Sequence, residues 1–182
     1  MKQLAASQTL EGFLGYLDAL TARPEPAELA AQLEALDISA ADVAPWMLFG
    51  DDRYRRNLLR AGPMYHALVL CWRSGQRSPI HNHARSVCGV RVLKGVATET
   101  IFDHSPCGQV RAISSRDYFP GDVIVSQDAD THQMSNLQPA GQDLVTLHIY
   151  APALTWMDTF SLEGGRITRV AEQLDHADGS GI

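Results

Sequence analysis

Short apolar runs separated by turn residues fill the chain from about residue 54 onward. They read "MYHALVLCW", "VCGVRVL", "VATETIF", "QVRAI", "DVIVS", "LVTLHIYA", "LTWMDTF" and "RITRV", and Gly, Pro, Asn or Asp stands between most of them. Many short runs of this kind, with no helical pattern between them, are typical of a β-sandwich or a β-barrel. The pattern therefore predicts a mainly β fold.

The first 50 residues follow a different pattern. Leu10, Phe13, Leu14 and Leu17 recur at helical spacing, and "TARPEP" ends that pattern. A second helix is predicted over "PAELAAQLEAL". A third, short helix is predicted over "SAADVAPWMLF", with Ser39 as its N-cap.

We therefore divide the 182-residue chain into three parts. Residues 1–50 are expected to form a helical section packed on the barrel, residues 51–175 the barrel itself, and residues 176–182 a flexible tail. The length fits one domain with a helical extension, and it is sufficient for a sizeable core without disulfides.

Composition excludes several classes of function. The formal net charge of −6 argues against a nucleic-acid partner, because phosphate binding needs a concentrated basic face. No run of about 18 apolar residues is present, so no membrane span is expected, and the N-terminus lacks the apolar core of a signal peptide.

Three cysteines are an odd number without CxxC spacing, which favours a reducing, cytoplasmic setting. We expect a cytoplasmic monomer.

Two histidines one residue apart stand near the middle of the chain, in "SPIHNHARSVCGVRVLKG". On a strand, His81 and His83 would point to the same face, with Asn82 on the other. Two imidazoles on one face can hold adjacent positions of one metal ion. Such pairs also occur as ordinary loop histidines, so this pair alone leaves both alternatives open.

A second segment, "PGDVIVSQDADTHQMSN", strengthens the metal interpretation. A Pro-Gly turn, a predicted strand and His132 with Asn136 four residues later resemble the second motif of the cupin superfamily. The HxH pair with Gly95 resembles the first motif. In that superfamily the two motifs lie on neighbouring strands of a small barrel and converge on one metal. The resemblance therefore makes His132 the third ligand.

The first cupin motif usually carries a carboxylate a few residues after its histidines, and here that place holds Val87 and Cys88. Glu99 is the only acidic residue between His83 and Ile101. We therefore expect three neutral imidazoles and no anion at the metal. A divalent metal keeps its full charge in such a site, and it favours an anionic ligand such as a thiolate. Imidazole ligands suit iron, zinc, copper or nickel, so they do not identify the metal.

Three polar side chains alternate with apolar ones in "LVTLHIYAP". Strand parity places Thr146, His148 and Tyr150 on one face, and the apolar residues between them indicate a strand buried on both sides. A hydroxyl, an imidazole and a phenol in a row can orient or relay a proton. A purely structural hydrogen-bond chain is the alternative.

Several separated motifs together resemble the cysteine dioxygenase family of thiol dioxygenases. They are "RYRRNLL", "LVLCW", "SPIHNHARSVCGVRVLKGVATETIFD", "THQMSN" and "LHIYAP", and they occur in the family's order from Tyr54 to Pro152. The resemblance implies a cupin (jelly-roll type) β-barrel with an N-terminal helical section, and Fe(II) as the cofactor, bound by His81, His83 and His132.

The resemblance also implies roles around the metal. Arg56, helped by Tyr54, would hold the substrate carboxylate, because a guanidinium pairs with a carboxylate through two parallel hydrogen bonds. Tyr150 would place its hydroxyl beside the metal, with His148 catalytic alongside it and Thr146 in the outer shell.

One further implication of the resemblance concerns Cys88 and Tyr150. In some members of the family, residues at these positions form a thioether crosslink. After the predicted loop "ARS", Cys88 shares a face with Val90 and Val92, which is consistent with an inward thiol. A buried, inert thiol is the alternative. A cis Ala151–Pro152 peptide bond is also expected.

The implied reaction converts L-cysteine and O2 to cysteine sulfinic acid. The nearest alternative is a dioxygenase of 3-mercaptopropionate, whose members typically carry Gln where Arg56 stands and often lack the cysteine. Arg56 and Cys88 therefore favour L-cysteine. A non-catalytic cupin that binds a metal or small ligand is an alternative of another class, and a metal-dependent isomerase or sugar-binding cupin is a third.

Overall fold

The computed structural model describes residues 7–105, 109–128 and 130–175, and the predicted tail of residues 176–182 lies outside these ranges. The N-terminal part contains helices α1 (Leu10–Asp18) and α2 (Pro26–Ala35), followed by a 3-10 helix (Ala40–Trp46). Ser39 precedes that last helix as predicted, and its backbone N–H donates to the Asp42 carboxylate at 2.8 Å. The described helices include none that is long and apolar enough to cross a membrane.

The strands pair into two antiparallel sheets. The first sheet has the order β1 (Arg55–Gly62), β2 (Tyr65–Trp72), β9 (Leu144–Ala151), β4 (Val87–Lys94) and β7 (Val123–Gln127). The second has the order β11 (Ile167–Ala171), β10 (Trp156–Phe160), β3 (Ile80–His81), β8 (Thr131–Ser135), β5 (Ala97–His104) and β6 (Val110–Tyr118). The prediction of a mainly β fold is confirmed.

The first sheet is covered on both faces. Alternate residues of β9, namely Val145, Leu147 and Ile149, belong to the same apolar cluster as Phe13 and Leu33 of the helices. The residues between them face the second sheet, because successive side chains of a strand point to opposite faces. The helical section thus covers one face of the sheet, while the other face lines the interior between the two sheets.

Helix α2 lies close to the first sheet because Gly89 of β4 has no side chain. A Cβ added at Gly89 would lie 2.5 Å from Leu33 Cδ1 and 2.9 Å from Leu29 Cδ2. Both leucines are fully buried, so they have little room to move away. This glycine therefore sets how closely the helical layer approaches the sheet.

We expect Gly89→Ala to lower the free energy of unfolding by about 1–3 kcal/mol, because a new methyl group overpacks this contact. The same substitution at Gly15 is the matched control. Gly15 lies within α1 with open space around it, so Gly15→Ala should raise stability by about 0.5–1 kcal/mol. Urea unfolding of both variants measures the difference. Equal effects at the two positions would contradict the close approach.

Candidate metal centre and its surroundings

Three histidines from two parts of the chain converge between the two sheets. His81 ends β3, His132 lies opposite it on β8, and His83 follows two residues after β3. Their ligand atoms all lie within 4.8 Å of one another, and all three side chains are buried. The structure thus brings together the three residues predicted as metal ligands.

The local structure around His83 differs from the prediction of one strand that carries both histidines. Strand β3 ends at His81, and a turn follows at Ala84, whose φ is +51°. The backbone N–H of His83 instead donates to the Asp128 carbonyl at 3.0 Å. The ring centroids of His81 and His83 are nevertheless 5.2 Å apart, so both imidazoles reach the same point.

The Nδ1 atoms of the first two histidines are held by neighbouring groups. His81 Nδ1 lies 2.9 Å from the Pro79 carbonyl, and His83 Nδ1 lies 3.3 Å from Ser126 Oγ. His83 Nε2 is buried and has no hydrogen-bond partner among the described residues. An orphaned buried ring nitrogen is costly unless a ligand satisfies it. We conclude that the Nε2 atoms face the point where a metal would bind.

Glu99 adds a buried carboxylate directly behind one of the three histidines. Its carboxylate is buried on β5, and Oε1 lies 2.6 Å from His132 Nδ1. Its oxygen engages the ring nitrogen opposite Nε2, so Glu99 is an outer partner of the ligand and not itself in the three-histidine group. A carboxylate in this place fixes the tautomer of the ring and raises its basicity. Alternation from Ala97 along β5 could have indicated an inward Glu99, but not its partner.

The environment keeps the imidazoles of His81 and His83 in their neutral form. Burial, followed by the neighbouring His132, lowers the pKa of His81 to about 3. Burial and the same neighbour hold the pKa of His83 well below its usual range. Neutral imidazole is the form that binds a metal, and three nitrogen donors suit iron, zinc, copper or nickel. The donor set therefore fits a divalent transition metal.

A hydrogen-bond chain runs along the inward face of β9. Thr146 Oγ1 lies 3.0 Å from His148 Nε2, and His148 Nδ1 lies 3.3 Å from the Tyr150 hydroxyl. Trp72 Nε1 donates to Thr146 Oγ1 at 3.1 Å, so Trp72 extends this hydrogen-bond chain. The predicted alternation of β9 is present, and every residue of the strand is buried.

Arg56 and Tyr54 reach the same small cavity as the histidines. Arg56 is buried, and its Nη1 lies 3.5 Å from the Tyr150 hydroxyl. Tyr54 stacks on Trp72 with ring centroids 4.1 Å apart. The residues that line the cavity are Tyr54, Arg56, Leu70, Trp72, Ser78, His81, His132, Met134, His148 and Tyr150. One basic side chain thus stands beside a three-imidazole group.

The sequence offered no signal for one partner of Arg56. Glu172 follows β11, and its Oε1 lies 2.6 Å from Arg56 Nη2. Its Oε2 lies 2.9 Å from His66 Nδ1. Arg56 and Glu172 are 116 residues apart, so only the fold brings them together.

Cys88 lies directly opposite Tyr150 in the pairing of β4 with β9. Both side chains are buried in the interior cluster, and burial raises the pKa of the Cys88 thiol to about 12. Residues opposite each other on antiparallel strands have Cβ atoms about 4.5–5.5 Å apart. The Ala151–Pro152 peptide bond that follows is cis, as expected.

We expect Glu99→Gln to weaken metal binding about 10–100-fold, because the amide lacks the charge that supports His132 as a ligand. Competition with a chelator, measured on Fe(II)-loaded protein without oxygen, gives the affinity. Glu34→Gln is the matched control, since Glu34 is exposed and borders the adjoining cleft without contacting His132. Equal affinities for the two variants would contradict this role of Glu99.

Comparison with known proteins identifies the family of this chain. The profile of the family "Cysteine dioxygenase type I" matches residues 9–163. Cysteine dioxygenase type 1 of Rattus norvegicus is 29% identical over 174 residues, which cover 92% of this chain and 86% of the relative. The Homo sapiens protein of the same name is 25% identical over 147 residues, which cover 79% and 73%.

Among solved structures, a conserved Klebsiella pneumoniae protein with a double-stranded β-helix domain superimposes with a TM-score of 0.52. It is 14% identical, and the match covers 71% of this chain and 87% of the other, so it bears on the fold alone. This structural likeness supports a cupin jelly-roll fold. Because the family profile matches most of its length, this chain belongs to the cysteine dioxygenase type I family of the cupin superfamily.

Proposed function

We propose that this protein is an iron-dependent cysteine dioxygenase that converts L-cysteine and O2 to cysteine sulfinic acid. One observation carries the proposal: the buried guanidinium of Arg56 lines the same cavity as His81 and His132. A three-histidine group alone fits many cupins. A buried cation beside it fits a small substrate with a thiol at one end and a carboxylate at the other.

Substrate binding falls to Arg56 and Tyr54. The guanidinium offers several N–H donors in one plane, and its Nε is buried without a partner among the described residues. A carboxylate that accepts from it would satisfy this donor and gain a charge-assisted hydrogen bond. Tyr54, stacked on Trp72, places a phenol ring at the same end of the cavity.

His81, His83 and His132 would hold Fe(II). When bound, iron would lower the pKa of a coordinated thiol and supply the redox chemistry for reaction with O2. The overall reaction balances without another reagent, because both oxygen atoms of O2 add to the sulfur of the thiol. The protein's own part is to hold the two reactants in contact and to exclude water.

Tyr150 and His148 would keep a proton in place beside the reacting atoms. Burial raises the pKa of Tyr150, so the phenol stays protonated at neutral pH. Burial, followed by the nearby charge of Arg56, holds the pKa of His148 well below its usual range. A neutral imidazole has one donor and one acceptor nitrogen. His148 can therefore link Thr146 to the Tyr150 hydroxyl and orient that hydroxyl toward the cavity.

The cellular setting is part of the proposal. Cys71 and Cys88 are both buried free thiols, which fits a reducing compartment. We expect the protein to work in the cytoplasm as a monomer, with L-cysteine and O2 as its small-molecule partners and without a nucleic acid or a membrane.

The decisive experiment is oxygen consumption by the Fe(II)-loaded protein with L-cysteine or 3-mercaptopropionate, with the product identified by mass. We expect uptake with L-cysteine and a product heavier by two oxygen atoms. Uptake with 3-mercaptopropionate alone would overturn the substrate assignment. No uptake with either thiol, in protein shown to contain iron, would favour a non-catalytic metal-binding cupin.

Arg56→Gln should raise the KM for L-cysteine about 30-fold or more, since loss of one partner of a buried charged pair costs about 2–5 kcal/mol. Steady-state oxygen uptake gives KM and kcat separately. Arg55→Gln is the matched control, because Arg55 is the adjacent residue of β1 and pairs with Asp52 at 2.9 Å. Unchanged kinetics in Arg56→Gln would remove Arg56 from substrate binding.

We also propose that Cys88 and Tyr150 form a thioether. The bond would join Cys88 sulfur to a ring carbon of Tyr150, and two electrons and two protons would pass to dioxygen to give hydrogen peroxide. After turnover with L-cysteine, intact mass should fall by about 2 Da, the mass of the two hydrogens lost, in a fraction of the protein. Cys88→Ser should show no such loss. A peptide map in which Cys88 remains alkylatable after many turnovers would argue against the crosslink.

A further inference from the structure

Glu172 is a buried carboxylate that the proposed reaction does not use. Its side chain is 4% exposed, and the Arg56 side chain that it contacts is 6% exposed. Two separate groups hold it: Arg56 Nη2 contacts Oε1, and His66 Nδ1 contacts Oε2. Both oxygens are therefore fixed in position.

The segment that carries Glu172 is attached along β1. The Asp175 carboxylate accepts from the backbone N–H of Arg56 at 2.9 Å and pairs with Arg53 at 2.7 Å. The Asp175 carbonyl accepts from the backbone N–H of Leu58 at 2.9 Å. These contacts are independent of the Glu172 side chain. They keep the backbone of residues 172–175 beside β1, so Glu172 meets Arg56 as a consequence of the fold.

Glu172 approaches Arg56 from outside the cavity that contains the histidines. Arg56 lines that cavity, whereas Glu172 does not. Arg56 also lines a second, outer cleft together with Arg53, Tyr54 and Gln173. Glu172 contacts only one terminal nitrogen of the guanidinium. The Nε atom has no partner among the described residues and stays available to a ligand.

We propose that Glu172 is a specificity-determining residue that sets the affinity of the site for a substrate carboxylate by competing for the positive charge of Arg56. This inference rests on the proposed function, since it concerns how Arg56 binds the substrate. Without substrate, the buried guanidinium needs an anion, and Glu172 supplies it. When a substrate carboxylate arrives, two anions share one cation, and their mutual repulsion removes part of the attraction.

Competition between Glu172 and a substrate carboxylate for Arg56 predicts a result that a purely structural role of Glu172 does not. Glu172→Gln keeps an oxygen that can accept from Arg56 Nη2, and it removes the charge. The affinity for ligands with a carboxylate should then rise, and that for ligands without one should stay the same. A merely structural residue would weaken both classes of ligand alike.

The test is equilibrium titration of the Fe(II)-loaded protein without oxygen. L-cysteine is compared with cysteamine, which has the same thiol and amine but no carboxylate, and with acetate, which has only the carboxylate. We expect Glu172→Gln to lower the Kd for L-cysteine and acetate about tenfold, the order expected when a nearby like charge is removed. The Kd for cysteamine should not change. No change for L-cysteine, or equal losses for L-cysteine and cysteamine, would overturn the proposal.

Two control variants separate charge from attachment. Glu172→Asp keeps the charge, so it should not tighten carboxylate binding. Asp175→Asn weakens the attachment of residues 172–175 to β1 without touching the Arg56 guanidinium. This variant should not tighten carboxylate binding either. Tightening in Asp175→Asn as large as in Glu172→Gln would show that a loosened segment is the cause.

The wild-type protein offers a second measurement that does not depend on folding of a variant. Coupling between two ligands of one group is reciprocal, so a bound carboxylate must weaken the hold of Glu172 on Arg56. We expect acetate or L-cysteine to speed hydrogen exchange at the backbone N–H of Glu172, which donates to the Thr155 carbonyl at 3.0 Å, and cysteamine to leave it unchanged. Identical exchange with all three would overturn the proposal. A protein that binds acetate in this way but oxidises no thiol would refute the proposed function alone.

Discussion

Strand β9 is buried along its whole length because helices cover one face of its sheet and the second sheet covers the other. Burial on both faces makes each polar group on this strand costly unless it is paired. Thr146, His148 and Tyr150 meet that requirement by bonding to one another, with Trp72 at one end and Arg56 at the other. The hydrogen-bond chain beside the candidate metal site therefore also offsets the cost of burying these polar groups.

Two buried carboxylates contact the polar side chains that line the cavity. The Glu99 carboxylate contacts the His132 imidazole, and the Glu172 carboxylate contacts the guanidinium of Arg56. Each anion leaves the cavity side of its partner free. A buried cation without an anion would be strongly destabilising, and an anion inside the cavity would repel an anionic substrate. The placement of Glu99 and Glu172 meets both constraints.

The sequence predicted the elements whose apolar residues repeat with a clear period. Helices α1 and α2 and strands β2, β4 and β9 lie where the pattern placed them. Strand β1 was missed as an apolar run because Arg55, Arg56 and Asn57 interrupt it, although the family resemblance singled out Arg56. Strand β8 was missed for a similar reason, since "THQMS" is mostly polar. A period reports the burial of apolar side chains, so strands with few apolar residues, such as β1 and β8, give the weakest signal.

What the sequence alone determined is local: the mainly β pattern, the helical section before it, and the residues that share a face of one strand. Motif order was sufficient to select His81, His83 and His132 as a group. Only the tertiary structure decided which residues meet across the chain. Glu99 contacts a histidine 33 residues away, and Glu172 contacts Arg56 across 116 residues. Strand parity says which way a side chain points, but pairing register and sheet order decide what it meets.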